Sequence, residues 1–194
     1  VMDLRRVKRK VHMGKPIYDP AKLTQNHTKA DAIETLEGIK SGRKVGSVII
    51  VDSFEENHVV GIVTPRDTKG DDPMDAPLSK IMSSAITDSI DISMEEAESI
   101  LRNKLRKKQL PLVDDKGRCA GLITLQDIDL MKHSPNAAID SKSRLLVAVA
   151  LGLGDLIDRA EALYPEQPDI FVLDIAHGGM QKHLNAIRYL KQKY

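Results

Sequence analysis

An internal repeat covers the first two thirds of the chain. Residues 61–67, with the sequence GIVTPRD, recur as residues 121–127, with the sequence GLITLQD, at a spacing of 60 residues. Self-similarity at a fixed spacing indicates one supersecondary unit that occurs more than once and packs against its copy. A length of 194 residues suits one large domain or two small ones, so two related units are predicted here.

Each copy is predicted to contain two short strands joined by a turn. The apolar segment 45–52 precedes the first copy much as segment 109–114 precedes the second. Residues 115–117, with the sequence DKG, have good hairpin-turn chemistry, whereas the longer polar connection 53–57 joins the strands of the first copy. Both copies are therefore predicted to form antiparallel strand pairs.

Ahead of each strand pair the sequence predicts a helix with a start signal. Thr28 and Asp31 open the first helix, and Ser93 and Glu96 form a capping box at the second. Apolar side chains recur at helical spacing behind both signals: Ala32, Ile33, Leu36 and Ile39, and then Ala97, Ile100, Leu101 and Leu105. Each unit is thus predicted as strand, helix, strand, strand, helix, and the polar segment 69–77, which has two prolines, as the linker.

The last third of the chain has a different pattern. Residues 144–152 are nearly continuously apolar, which is typical of a parallel strand buried on both faces. A helix over 155–164, a second buried strand over 169–174 and a helix over 180–193 are predicted to follow. This order is βαβα, the unit of α/β barrels and doubly wound sheets. Because two strands close neither architecture, we expect the remaining strands to lie outside these 194 residues.

Composition excludes several classes of protein. The longest apolar run, Leu145–Leu153, has nine residues, about half of the roughly 18 that a spanning helix needs. With 29 basic and 28 acidic side chains, the net charge of +1 indicates no polyanionic partner. Cys119 is the only cysteine, so it makes neither an internal disulfide nor a zinc site by itself. We expect a cytoplasmic chain with no membrane contact and no metal site.

The repeated T-x-x-D motif resembles that of the cystathionine β-synthase (CBS) repeat, two copies of which pair into a Bateman module. The resemblance covers residues 13–132 and implies that Thr64, Asp67, Thr124 and Asp127 bind a regulatory adenosine or guanosine nucleotide. At a strand end that enters a helix, a Thr hydroxyl can contact phosphate and an Asp can accept hydrogen bonds from a ribose diol. The alternative is that Thr and Asp only cap the final helix of each repeat.

Motifs beyond the repeat resemble the IMP dehydrogenase and GMP reductase family. After the CBS pair come Pro-Asn-Ala at 135–137, Arg-Leu-Leu-Val at 144–147, and Val-Leu-Asp-Ile-Ala-His-Gly at 172–178 ahead of a helix. The chain departs from the family pattern at Ala148, where glycine is common, and at Gly179 and Met180, where His-Ser is usual. The combined order is specific, although each motif alone is weak.

This resemblance implies an α/β fold in which tandem CBS repeats, each β-α-β-β-α, are inserted into a TIM-type (β/α)8 barrel. The implied limits are residues 1–12 for the connection from the barrel, 13–72 and 73–132 for the two CBS repeats, and 133–194 for part of the catalytic barrel. The connections into and out of the CBS pair are then expected to lie close together.

Asp174 is the candidate cofactor residue, because a carboxylate at the C-terminal end of a buried strand is where α/β barrels place active-site groups. The resemblance implies that it binds the ribose of the nicotinamide cofactor; the alternative is a helix cap. His177, beside Gly178, is not required as a catalyst by the resemblance. The family's covalent catalysis needs a cysteine in a barrel loop. Because Cys119 lies in the second strand pair, no catalytic residue is expected in this chain.

The implied activity is that of an IMP dehydrogenase, which oxidises IMP to XMP with NAD and uses a monovalent cation such as K⁺ bound outside this chain. The alternatives are a GMP reductase, which uses NADPH, and a non-catalytic CBS nucleotide sensor. Implied partners are ATP or GTP at the CBS repeats and identical subunits in a homotetramer or octamer. Two basic clusters, 5–10 and 102–108, are solvated faces by default. The second could form an anion or polyphosphate site where it meets a CBS cleft.

Overall fold

A computed structural model describes residues 15–41, 44–105, 107–141 and 144–194. The predicted connection over 1–12 and the basic cluster Arg5–Lys10 lie outside the described residues. Within the described ranges the strands form two three-stranded sheets and one two-stranded sheet, with helices packed against them. The chain is a mixed α/β protein, as the sequence predicts.

The first unit consists of β1 (Lys22–Thr24), α1 (Lys29–Glu37), β2 (Val48–Val51) and β3 (Val59–Val63). β2 is the central strand, parallel to β1 and antiparallel to β3. α1 begins at a reciprocal capping box between Thr28 and Asp31, as the start signal predicts. Its buried apolar side chains, Ala32 and Leu36, pack against Val48 and Ile50 of the central strand.

The predicted apolar face of α1 includes one residue, Ile39, that lies outside the helix. α1 ends at Glu37, because Gly38 adopts a left-handed conformation with a φ of 70° and caps the helix. Ile39 lies beyond this cap and is 70% exposed, so its predicted burial is wrong. The glycine ends the helical periodicity before Ile39 can reach the core.

The second unit repeats the order strand, helix, strand, strand and adds a final helix. It consists of β4 (Asp88–Ser89), α3 (Met94–Ser99), β5 (Gln109–Val113), β6 (Cys119–Thr124) and α4 (Leu125–His133), and the short α2 (Leu78–Ile81) precedes it. β5 is the central strand, parallel to β4 and antiparallel to β6. α3 begins at the predicted capping box of Ser93 and Glu96 and continues as a π-helical turn over Ile100–Leu105.

The two units differ after their last strand. In the second unit β6 leads directly into α4, whereas β3 of the first unit leads only into a 3₁₀ turn over Asp67–Lys69. The predicted final helix of the first unit is therefore wrong. Gly70 follows the turn at once and Pro73 comes soon after, and both residues disfavour helix continuation, whereas no Gly or Pro interrupts α4.

The segment ahead of each unit pairs with the last strand of the other unit. Ile17 exchanges two backbone hydrogen bonds with Leu122 of β6, at 2.8 and 3.0 Å. Ser83 makes the equivalent exchange with Ile62 of β3, at 2.9 and 3.0 Å. A buried cluster shared by both units, which contains Ile49 and Val51 of β2 and Leu122 of β6, lies beneath this exchange. The two units are therefore interlocked through both backbone and core.

The C-terminal third contains β7 (Ala148–Leu151), α5 (Leu156–Leu163), β8 (Ile170–Leu173) and α6 (Gln181–Lys193). β7 and β8 are parallel and in register, which confirms the predicted βαβα order. Both helices pack on one face of this sheet around a core of Leu151, Leu156, Ala160, Leu163, Ala186 and Leu190.

The other face of this sheet is open. Ile170 and Val172 of β8 are 50% and 43% exposed, and Ala148 and Ala150 of β7 are exposed as well. The prediction that these strands are buried on both faces is therefore wrong for this chain, because α5 and α6 lie on the same side. In the described ranges, no helix combines the length and the apolar character that crossing a bilayer would require.

Candidate functional site

The first predicted pair, Thr64 and Asp67, lies just beyond β3. One carboxylate oxygen of Asp67 accepts hydrogen bonds from the Thr64 amide at 2.7 Å and the Thr64 hydroxyl at 2.6 Å. The other oxygen accepts a hydrogen bond from the Ser83 hydroxyl at 2.8 Å. Burial raises the pKa of the Asp67 carboxyl, but the hydrogen bonds from Thr64 and Ser83 outweigh it and hold this pKa below its usual value. Asp67 is therefore an ionised acceptor at neutral pH.

The second predicted pair, Thr124 and Asp127, joins β6 to α4. The Thr124 hydroxyl accepts a hydrogen bond from the Asp127 amide at 3.2 Å and donates one to the Asp127 carboxylate at 2.5 Å. Thr124 is the N-cap of α4, so the helix-capping alternative describes its local role correctly. Asp127 is only 6% exposed. The cap holds this carboxylate in place at the wall of a cleft.

We call this cavity the Asp127 cleft; its volume is about 860 Å³. Thr124 and Asp127 form one wall, and residues 44–47, which lead into β2 of the first unit, form another. Ser47 lies in that second wall and is 3% exposed, and its hydroxyl has no hydrogen-bond partner. The volume falls in the range of small-molecule sites, about 300–1,000 Å³.

A second cavity, the Asp67 cleft, has a volume of about 430 Å³. Thr64 and Asp67 line it together with Ser83 and Ser84, which lie ahead of the second unit. Residues 107–109, which lead into β5, form its opposite wall. The structure thus brings each Thr-Asp pair to a cleft whose far side comes from the other unit.

The two clefts share Gly46, Lys108 and Gln109. The Gln109 side-chain amide donates a hydrogen bond to the Gly46 carbonyl at 3.4 Å, which links the leading segments of β5 and β2. The clefts are therefore neighbours that share a wall.

The cations of the two clefts differ in how they are paired. Arg66, Lys107 and Lys108 line the Asp67 cleft, and in the described ranges their side chains make no hydrogen bond or ion pair. In the Asp127 cleft, Lys44 pairs with Glu37, and Arg102 pairs with Glu98 and with Asp129. The Asp67 cleft therefore offers unneutralised positive charge to an anion, and the Asp127 cleft offers mainly charge that is already engaged.

Asp174 lies in the loop after β8, at the C-terminal end of the two-stranded parallel sheet. Its amide donates to the Leu151 carbonyl at 3.2 Å, and its exposed carboxylate makes no side-chain hydrogen bond within the described ranges. The N-cap of α6 is Met180, so Asp174 does not cap that helix. His177 is exposed in the same loop. Asp174 lines neither the Asp67 cleft nor the Asp127 cleft.

A family model described as the IMP dehydrogenase / GMP reductase domain matches residues 4–194. The chain belongs to this family of oxidoreductases. Its sequence is 39% identical over 165 residues to the inosine-5'-monophosphate dehydrogenase of Streptococcus pyogenes, covering 84% of this chain and 32% of that protein. It is 34% identical over 181 residues to the same enzyme of Bacillus subtilis (strain 168), covering 92% of this chain and 36% of that protein.

Solved structures give the same family. GMP reductase from Trypanosoma brucei in complex with guanosine 5'-triphosphate matches with a TM-score of 0.75 and 31% identity, covering 99% of this chain and 46% of that chain. A variant of that reductase in complex with guanosine 5'-monophosphate matches with a TM-score of 0.73 at 31% identity, covering 98% and 40%. The chain thus spans about a third of the curated relatives and less than half of these reductases.

Cys119 does not have the environment of a nucleophilic cysteine. It lies at the start of β6, partly buried, and burial raises the pKa of its thiol. A nucleophilic cysteine needs the opposite shift, because the thiolate is the reactive species. The interpretation of Cys119 as a strand residue agrees with this geometry. No group of three or more His, Cys, Asp or Glu residues suited to a metal ion occurs in the described ranges.

Sequence reasoning missed the residues that reach each cleft from the other unit. Ser83, which donates to Asp67, lies 16 residues beyond it in a segment with no motif. Ile17 and Pro20, which line the Asp127 cleft, precede its Thr-Asp pair by about a hundred residues. The repeat itself held a signal for these residues. Ser83 precedes the second unit as Ile17 precedes the first, so the two residues occupy equivalent positions.

Proposed function

We propose that this chain is the regulatory region and part of the catalytic barrel of an IMP dehydrogenase, which oxidises IMP to XMP with NAD in guanine nucleotide synthesis. The pair of clefts carries the proposal, since each has a Thr-Asp pair at a strand end within a chain that the family model matches over residues 4–194. The curated relatives at 34–39% identity, named as inosine-5'-monophosphate dehydrogenases, support the dehydrogenase.

GMP reductase is the second candidate, supported by the structures at 31% identity. It converts GMP to IMP with NADPH. The intact protein that carries this chain should be assayed with IMP and NAD, and separately with GMP and NADPH, by following reduced cofactor. Turnover of IMP supports the dehydrogenase, and turnover of GMP instead establishes the reductase. Failure of both reactions leaves the third reading, a non-catalytic nucleotide sensor.

We assign residues 13–72 and 73–132 to two CBS repeats inserted into a (β/α)8 barrel, of which residues 133–194 form a part. The pairing of Ile17 with Leu122 supports the insertion, because it brings the incoming connection to the last strand of the second unit. Pro20 of the incoming connection and His133 at the end of α4 line the same cleft. Inserted domains are tolerated where their two ends lie close together at a surface.

The open face of β7 and β8 supports the assignment to a barrel. In a (β/α)8 barrel the helices form the outer ring and the inward face of each strand packs in the interior. α5 and α6 cover one face here, and Ile170 and Val172 project from the other. The exposed apolar face is therefore the one that neighbouring strands of a complete barrel would enclose.

Asp174 fits the ribose of a nicotinamide cofactor, because it is an exposed carboxylate at the C-terminal end of a barrel-type strand with no side-chain partner in the described ranges. NAD would supply the hydride acceptor, and Asp174 would orient it by accepting hydrogen bonds from the ribose hydroxyls. The cysteine nucleophile and the K⁺ site are assigned to regions outside this chain.

In the two clefts we assign ATP or GTP as the regulatory ligand. Asp67 and Asp127 would accept hydrogen bonds from the ribose diol, since an ionised carboxylate has about four acceptor positions and can keep its contacts with Thr64 and Thr124. Arg66 and Lys108 would bind the phosphates. The cleft volumes of about 430 and 860 Å³ accommodate a nucleotide, the smaller one with its phosphates directed to the shared wall.

Calorimetry tests this assignment. Asp67→Ala and Asp127→Ala should each weaken ATP or GTP binding at one cleft by about 10- to 150-fold, because a charge-assisted hydrogen bond contributes about 1.5–3 kcal/mol. Asp114→Ala is the matched control, since Asp114 is a carboxylate paired with Arg118 at a hairpin outside both clefts. The absence of any binding of adenine or guanine nucleotides to the wild type would exclude a sensor function.

A further inference from the structure

Both connections of the repeat pair line the Asp127 cleft. Ile17, Pro20 and Ala21 belong to the segment that leads into the first unit, and Asp129 and His133 belong to α4, which leads out of the second. The Asp67 cleft is lined only by residues between 46 and 111, so it touches neither connection. Of the two clefts, the Asp127 cleft alone is placed to sense or alter how the pair is attached to the rest of the protein.

An ion-pair network joins α4 to the neighbouring helix at this cleft. Arg102, in the π-helical turn after α3, donates to Glu98 at 2.9 Å and also pairs with Asp129. Lys132 donates to the other carboxylate oxygen of Glu98 at 2.5 Å. All four side chains belong to residues outside the Thr-Asp motif, and Arg102 and Asp129 both line the cleft.

The ion pair between Arg102 and Asp129 is open to competition from a phosphate. Both side chains are more than 40% exposed, and exposed ion pairs contribute little net stability. A phosphate is the stronger competitor for a guanidinium, because it carries more charge and forms bidentate hydrogen bonds. Glu98 would keep Arg102 in position while Asp129 is displaced.

We propose that a nucleotide in the Asp127 cleft binds Arg102 through its phosphates in competition with Asp129, and so couples occupancy of this cleft to the outgoing connection through α4. This inference rests on nucleotide binding by the clefts, as proposed above. Asp129 thereby lowers the affinity of the cleft for phosphate, and Arg102 is the residue through which ligand binding affects α4. Linkage requires that a change which removes the charge of Asp129 but keeps Arg102 also strengthens nucleotide binding.

The affinity arm of the test uses GTP and guanosine as probes, in the intact protein with Asp67→Ala so that binding reports on the Asp127 cleft. Asp129→Asn should tighten GTP binding by about 3- to 10-fold, because a neutral amide competes with phosphate for Arg102 less strongly than a carboxylate does. Guanosine, which has no phosphate, should bind equally to both forms. Asp114→Asn is the matched control, because it weakens another exposed arginine-aspartate pair at a distance from the cleft.

The conformational arm uses amide hydrogen exchange of residues 129–133 in α4. GTP should accelerate exchange there by at most about 5-fold in the wild type and in the Asp67→Ala form, since an exposed ion pair adds little stability, and should have no such effect in Asp127→Ala. In Arg102→Gln, GTP should leave the exchange of these amides unchanged. Slower exchange on GTP binding, or equal GTP affinity of the Asp129→Asn and Asp114→Asn forms, would overturn the coupling while leaving nucleotide binding intact. A lack of GTP binding in every form would instead refute the proposed function of the clefts.

Discussion

The Asp67 and Asp127 clefts are built from the same repeated motif but differ in what the other unit contributes to them. Ser83 pairs with Ile62 in the first unit, and its hydroxyl donates to Asp67. Ile17 takes the equivalent position beside Leu122 in the second unit, where it has no polar group to offer. A duplicated motif has thus acquired two environments through the segments exchanged between its copies.

The difference extends to charge and to the end of the motif. The Asp67 cleft has three cations without partners in the described ranges, and its motif ends in a short 3₁₀ turn. The Asp127 cleft shares one of these cations, Lys108, but its Lys44 and Arg102 are paired, and its motif ends in a capped helix. The first cleft is therefore suited to strong phosphate binding. In the second, an anion must displace an existing partner of Arg102.

The largest expected effect tests whether the two units unfold together as one cooperative unit. Ile50→Ala in β2 and Leu112→Ala in β5 remove equivalent, fully buried side chains, and each should lower the free energy of unfolding by about 2–5 kcal/mol. Because backbone bridges and a core cluster join the two units, either change should reduce the protection of amides in both β2 and β5. Denaturant-dependent amide exchange measures this.

Ile39→Ala is the control for that experiment, because Ile39 is exposed beyond the end of α1 and its loss should change stability little. Loss of protection in only the mutated unit would show that the two units unfold independently and that the exchanged segments do not couple them.

The next effect compares the cations. Arg66→Gln should weaken GTP binding at the Asp67 cleft by about 10-fold or more, since an unpaired guanidinium contributes a charge-assisted hydrogen bond of about 1.5–3 kcal/mol to phosphate. Arg102→Gln should weaken GTP at the Asp127 cleft less, because phosphate must first displace Asp129. Titration calorimetry with GTP and with guanosine separates the phosphate contribution, and equal losses at both clefts would contradict the contrast in pairing.

A smaller effect compares the two threonines. Thr124→Ala removes the N-cap of the nine-residue α4 and should cost about 1 kcal/mol of stability. Thr124→Ser should restore most of it, because serine is also a good N-cap. Thr64→Ala removes no cap of an α-helix, so thermal unfolding should show a smaller loss. An equal loss at both positions would mean that the contacts with Asp67 and Asp127, rather than capping, account for the cost.

The smallest effect concerns acid stability. The pKa of Asp67 is lower in the folded protein than in the unfolded chain, where it is about 4. The ionised carboxylate therefore stabilises the fold at pH values above the unfolded pKa, and this stabilisation is lost as pH falls through the folded pKa. The stability difference between wild type and Asp67→Asn should therefore narrow as pH falls from 5 toward 2. Urea unfolding across this pH range measures it, and a constant difference would show that ionisation of Asp67 does not contribute.

Much of the local structure was predictable because its signals lie within a few residues of one another. The capping boxes at Thr28 and Ser93 identified two helix starts, and the alternation of apolar segments identified the hairpins and the βαβα order. The errors also have local causes, which are glycine and proline residues just beyond each predicted helix. Ile39 is cut off by a left-handed Gly38, and the first unit lacks its final helix because Gly70 and Pro73 follow the turn.

The sequence by itself determined that this chain has two copies of one unit, which residues begin its helices, and where two Thr-Asp pairs stand at strand ends, because each depends on short-range hydrogen bonds and periodic burial. Only the tertiary structure decided which segment covers each cleft, which cations keep partners, and that Ile17 and His133 meet at one cavity. Those features depend on pairing between residues far apart in the chain, and such pairing leaves no pattern in either segment alone.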